Sequence, residues 1–380
     1  MTVFASHFGP FGDRVWLNCA HQGPIPHVAA AAARRAIERK LAPFELRDES
    51  FTEVPRRLKQ MLGRLIGAPP EEIILGNSAS YGLHLLANGL PLQRGDEVLL
   101  VRGDFPSVVL PWLALEERGV RLRHIEPGEE GLTPETLEPH LGPRTIVLST
   151  TWVHSFTGRA IDLDAIGRRC RSHGVWFIVN ASQALGARPL DVTGAPVDAV
   201  ISVGFKWLCG PYGTGFCWMT PRLLSSLRYN QAYWLAMQTA EELGGDSAIP
   251  VVKEDLGARR YDVFGTANFF NFEPLTASVD YLLTQGIDAV AAYDGALIDR
   301  LIEGLAELGY NVLSPREGDS RSTLVIASHG DRTRNEAIQR ELQDRGIDVA
   351  YRRGNLRFSP HLYNTLEDVE RALQALESCR

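Results

Sequence analysis

From Glu72 to Phe205 short apolar runs alternate with segments of helical spacing. EEIILG leads into NSASYGLHLLANGL, which reads as a turn entering a helix. DEVLLV leads into VLPWLALEERG, and VRLRHI into a helix near 133–141. TIVLSTTWV then precedes a helix over 162–173, and VWFIVNAS precedes DAVISVGF. Short apolar runs separated by segments of helical spacing read as strands of one sheet. Such strands are covered on both faces, which predicts a largely parallel sheet with helices on either side.

The flanks differ from this centre. Residues 26–42 and 51–67 have helical spacing, and around 221–260 the pattern weakens. A long helix over 287–308 opens the last part, with strands near 323 and 356 and helices over 333–345 and 366–377. The expected organisation is an N-terminal segment (1–25), a large domain (26–275) and a small α+β domain (276–380).

Composition excludes several roles. The chain has 380 residues, enough for a large core, and a net charge of -7, which argues against a nucleic-acid-binding surface. No run of about 18 apolar residues predicts a membrane span. Cys19, Cys170, Cys209, Cys217 and Cys379 are scattered without CxxC spacing, so no metal site is expected. Their odd number and the polar start MTVFASHFGPFGDR fit a cytoplasmic protein.

Lysine is scarce: Lys40, Lys59, Lys206 and Lys253 are all there are. Lys206 stands in ISVGFKWLCGPYGTGF, between an apolar strand and a Gly/Pro-rich turn. A lone lysine in such a place more often snorkels to the surface. When it stays inside, desolvation favours the neutral amine, which is a nucleophile towards carbonyls.

KWLCGPYGTGF resembles the lysine motif of class V aminotransferase-like enzymes. These are fold type I pyridoxal-phosphate (PLP) proteins, a group that includes cysteine desulfurases, kynureninase and isopenicillin N epimerase-like proteins. Further motifs follow in the family's order along nearly the whole chain. The resemblance implies an α/β large domain with a mostly parallel seven-stranded sheet, plus a small α+β C-terminal domain. It also implies a cofactor, pyridoxal 5'-phosphate, carried covalently by Lys206.

The same resemblance assigns the other positions. GNSASYGLHLL places Ala79 and Ser80 at the phosphate, where a helix N-terminus favours an anion. Phe105 of GDFPS stacks on the ring, and His154 and Ser155 of TWVHSFTG lie near cofactor and substrate. In VNASQ, Gln183 meets the ring oxygen, and Asn180 stands where the family has the aspartate that keeps the ring nitrogen protonated. Asn supplies no charge. Phe205 and Val203 replace polar residues of relatives, leaving Ser202 as a phosphate contact. Thr266 of FGTANFF reaches the phosphate of a second subunit, which implies a homodimer. Arg357 of NLRFSPHLYNT holds the substrate α-carboxylate, and Asn18 and His21 of LNCAHQGPIP line the substrate side.

The reaction is less determined than the machinery. The stretch LSPREGDSRSTLVIASHG lacks the mobile cysteine on which a persulfide-forming desulfurase depends. The expected activity is therefore a β-eliminating C–S lyase acting on an amino acid or cysteine S-conjugate. A setting in specialised metabolism, such as lincosamide biosynthesis, follows from the resemblance. The alternatives are decarboxylation-coupled oxidative deamination, epimerisation, transamination, or a catalytically inactive binding subunit.

Overall fold

The computed structural model describes residues 4–228, 231–238, 242 and 252–379. Part of the weakly patterned 221–260 stretch therefore lies outside the described residues. The central sheet has seven strands: β1 (Ile73–Gly76), β2 (Glu97–Val101), β3 (Arg121–Ile125), β4 (Thr145–Thr151), β5 (Trp176–Asn180), β6 (Ala199–Val203) and β7 (Gly215–Met219). Their spatial order is β1-β7-β6-β5-β4-β2-β3. Only β7 runs against its neighbours, pairing antiparallel with both β1 and β6.

The apolar runs are continuous because both faces of the sheet are covered. In β5, Phe177 and Val179 enter one core while Ile178 enters the other. Strand β2 divides in the same way, with Leu99 and Val101 opposite Val98 and Leu100. This is the two-residue period of a pleated strand buried on both sides. Helices α1 (His27–Leu41), α2 (Ser50–Ile66) and α6 (Phe269–Gln285) cover one face, and α3 (Ala79–Gly89) and α4 (Pro106–Leu113) cover the other. The amphipathic α5 (Leu163–Ser172) also packs on the first face through Ile166 and Cys170.

Strand β7, GFCWM, was not anticipated. It lies just beyond the Gly/Pro-rich turn and shows no alternation. Its partners are set by that turn, which brings the chain straight back beside β6.

A second architecture follows Gly286, whose φ of 83° breaks the chain between α6 and α7 (Ile287–Glu307). The boundary expected at 275/276 falls inside α6. That helix packs on α1 and α2 and contributes Phe272, Leu275 and Val279 to the large core. Beyond Gly286, β8 (Asn311–Val312), β9 (Val325–Ser328), β10 (Ala350–Arg352) and β11 (Asn355–Phe358) form an antiparallel sheet. Helices α7, α8 (Asn335–Asp344) and α9 (Leu366–Glu377) share a separate core with it. Val15 and Leu17 belong to that core, and Val15–Trp16 pairs in parallel with Ile347–Asp348. The N-terminal segment thus crosses from one unit to the other.

Candidate active site

The parallel strands β4 and β5 end together, and their C-terminal ends open onto a cavity of about 380 Å³. Such crevices are where open α/β sheets bind ligands. Thr151 and Asn180 are the last residues of β4 and β5, and both line the cavity. Lys206 lies three residues past β6, on a turn pinched shut at its neck. Gly204 N donates to Thr214 O at 3.0 Å and Gly210 N to Gly204 O at 2.8 Å. A Cβ on Gly204 would come within 2.2 Å of Thr214 Oγ1, so glycine is required there. Behind the turn, fully buried Trp207 donates its indole N–H to Gln183 Oε1 at 3.0 Å. The lysine is thus mounted on a rigid support.

Electrostatics set this lysine apart. No carboxylate pairs with it among the described residues. Its Nζ lies 5.4 Å from the ring centre of Phe105 and 6.0 Å from that of Phe205. Burial first, and then the Arg357 guanidinium, bring its pKa down to about 8. Arg357 itself is pushed down to about 10, by burial and then by Arg352. Its Nη1 donates to Ser155 O at 3.2 Å, while its buried Nε has no partner. His21, on the same wall, is held below its ordinary range by burial and by Arg352, Arg357 and Lys206.

The rest of the wall presents groups that suit a flat anionic cofactor. Ser78 caps α3, its side chain accepting from Tyr81 N, and Ala79 and Ser80 open the helix. The first-turn N–H groups of this helix favour a phosphate. Gly215 lets β7 run close beneath: a Cβ there would meet Ser78 carbon atoms at 2.9 and 3.0 Å. Phe105 is held by its neighbour Asp104. That buried carboxylate accepts from Phe105 N at 2.6 Å, Thr151 N at 2.9 Å, Thr151 Oγ1 at 3.0 Å and Thr150 Oγ1 at 3.1 Å. Phe156 lies parallel to Phe105 at 6.3 Å. Gln183 donates from Nε2 to Ala20 O at 3.0 Å, which leaves one amide hydrogen for a ligand. An uncompensated amine, an unpartnered buried guanidinium N–H and a helix N-terminus around one slot fit PLP.

The structure brings together Lys206, Ala79, Ser80, Phe105, Ser155, Asn180, Gln183, His21 and Arg357. Four expected residues stand apart from this wall. Ser202 lies within β6 on the opposite side from Val203, and its hydroxyl donates to Val203 O. Ser182 lines the cavity in its place and accepts from Val203 N at 3.2 Å. His154 braces the loop instead, with Nε2 3.1 Å from Gly103 O and its ring edge-on to Phe156. Asn18 bridges to Ser359 and does not reach the wall. Thr266 lines a different cavity, with Lys59 and Asp262.

Arg352, Tyr212 and Phe156 were missed. Tyr212 stacks on Phe205 at 4.6 Å and bonds through its hydroxyl to Gln22. Their signal was weak: Arg352 precedes another arginine in a polar turn, and Tyr212 sits between glycine and proline.

The sequence matches the aminotransferase class-V family over residues 44–372. It is 27% identical to isopenicillin N epimerase of Streptomyces clavuligerus over 95% of this chain and 94% of that one. It is 26% identical to a probable cysteine desulfurase of Methanothermobacter thermautotrophicus over 96% and 94%. The fold superposes with a TM-score of 0.87 on the cystine C–S lyase C-DES bound to its product cysteine persulfide, at 22% identity, covering 97% and 98% of the two chains. C-DES carrying glycine linked covalently to its PLP cofactor gives 0.89 at 21% identity, covering 98% of each chain.

Proposed function

Because the chain belongs to the aminotransferase class-V family, we propose that it is a lyase that breaks the Cβ–S bond of an amino acid or cysteine S-conjugate. Its cofactor is pyridoxal 5'-phosphate. When bound, that group supplies the electron sink for the pair released at Cα.

One observation carries the choice of lyase: the Lys206 cavity holds an amine and a free guanidinium N–H but no thiol. All five cysteines are buried, and none lines the cavity. An enzyme that keeps the sulfur on its own thiolate needs that thiolate within reach. Here the sulfur leaves with the product. Arg357 binds the α-carboxylate with a forked pair of N–H groups. The Nζ of Lys206, its pKa lowered to about 8, takes the Cα proton in its neutral form. The Cβ–S bond breaks, the thiolate or persulfide departs, and the released aminoacrylate hydrolyses to a keto acid and ammonium. Ala79 and Ser80 hold the phosphate, Phe105 covers the ring and Gln183 donates to the ring oxygen.

The proposal extends to a homodimer. Thr266 is buried in a cavity separate from that of Lys206, which is consistent with service to a partner's site. A setting in specialised metabolism, such as lincosamide biosynthesis, belongs with this reading. Among the described residues no helix is long and apolar enough to cross a membrane.

The test is a product assay. Holoprotein is incubated with amino acids and cysteine S-conjugates, with and without oxygen, and the products are identified by mass spectrometry. A keto acid, ammonium and a thiol or persulfide in equal amounts are expected. Inverted substrate, carbon dioxide or an amino-group exchange product, without sulfur release, would overturn the lyase reading.

A further inference from the structure

Asn180 closes β5 at the floor of the cavity and is buried. Ser182 N approaches its Oδ1 at 3.0 Å. A backbone amide nitrogen only donates, so the carboxamide must turn its oxygen toward Ser182. The orientation is therefore fixed by chemistry. Ser182 is itself anchored, its hydroxyl accepting from Val203 N across the strands. The free end of Asn180 is Nδ2, a group that only donates, and it has no acceptor among the described residues.

The charges around it agree. Lys206, Arg352 and Arg357 line the cavity, and among the described residues no Asp or Glu does. The nearby Asp104 is already engaged by two backbone N–H groups and two threonine hydroxyls. A protonated, positively charged ring in this cavity would face two guanidinium groups, Arg352 and Arg357, and a directed donor, with no carboxylate among the described residues.

Resting on the cofactor assignment above, we infer that Asn180 donates its Nδ2–H to the ring nitrogen and that the ring is held unprotonated. The cofactor is then a weaker electron sink than a cationic ring. Substrates with a leaving group on Cβ are favoured, because the pair released at Cα forms a Cα–Cβ double bond as the leaving group departs with the pair of its own bond to Cβ. Reactions that must store the pair on the ring, transamination above all, are disfavoured.

The test uses holoprotein loaded with cofactor labelled with nitrogen-15 in the ring and read by solid-state nuclear magnetic resonance. The expected ring resonance is that of a neutral, hydrogen-bonded pyridine, and Asn180→Asp should move it upfield into the pyridinium range. A pyridinium resonance in the wild-type holoprotein overturns the inference and leaves the cofactor assignment intact. Borohydride reduction and peptide mapping of the same sample identify the residue that holds the cofactor. Label on a residue other than Lys206 overturns both. A neutral resonance in wild type that Asn180→Asp leaves unmoved overturns the contact to Asn180.

Discussion

Two low-exposure lysines in this protein have opposite surroundings. Lys59, on α2, meets the Asp262 carboxylate at 2.8 Å, and that carboxylate also accepts from Leu75 N at 2.9 Å. Lys206 has aromatic rings and another cation for company, and no carboxylate. The first arrangement is complete in itself and ties α2 to the edge of the sheet. The second is incomplete, because a buried cation without a counter-charge is costly unless it gives up its proton or gains a ligand. Pairing thus separates the two lysines: one has its counter-charge and the other lacks it.

The sharpest way to break the comparison is to remove each lysine's function. Lys206→Ala should abolish the visible absorbance of the bound cofactor and lower activity by about 10³-fold or more. Because no native pair is lost, thermal unfolding of the apo form should be preserved. A variant that retains bleachable, covalently held cofactor would move the site elsewhere. Asp262→Ala should do the reverse. It strands Lys59 in the interior and should cost about 3–5 kcal/mol in urea denaturation, with cofactor absorbance retained in the folded fraction. A loss below about 1 kcal/mol would show that the pair is worth no more than a surface ion pair.

The smallest effect is in pH. Lys206 falls from 10.5 to about 8 on folding. Between those values the unfolded chain binds more protons, so this group makes the apo protein more stable as pH rises from about 8 towards 10.5. Below about 8 the penalty for burying the charge is fully present. Lys206→Met should remove that rise, and urea midpoints at pH 7.5 and 9.5 measure it. An unchanged rise in the variant would assign it to another group.

Much of this was legible along the chain, for local reasons. Strands β1, β2, β4, β5 and β6 announced themselves because burial on both faces demands continuous apolar runs, whereas the edge strand β3 carries Arg121, Arg123 and His124 and is partly exposed. Lys206 stood out because such a turn rarely places a lysine after a buried strand. The residues that stood apart from the site show where this reading fails. Ser202 and Val203 are adjacent, yet strand pleating sends them to opposite faces, and only pairing with β5 decides which face meets the cavity. The resemblance of TWVHSFTG to the family's segment placed His154 near the substrate. Its ring turns instead to Gly103 O, fifty-one residues away in the chain. Thr266 is a different case: it is expected at a partner's phosphate, and it lines a cavity separate from that of Lys206.

Sequence alone determined the class of sheet, the lysine set just past a buried strand and the absence of a charge at position 180, because these depend on residue type and short-range order. Tertiary structure decided that position 180 offers a donor and, among the described residues, that Arg357 keeps an unpartnered N–H and that no carboxylate enters the cavity. Those properties belong to the meeting of distant segments. A side chain's identity is local, whereas its hydrogen-bond partners and the charges around it exist only once the chain has folded.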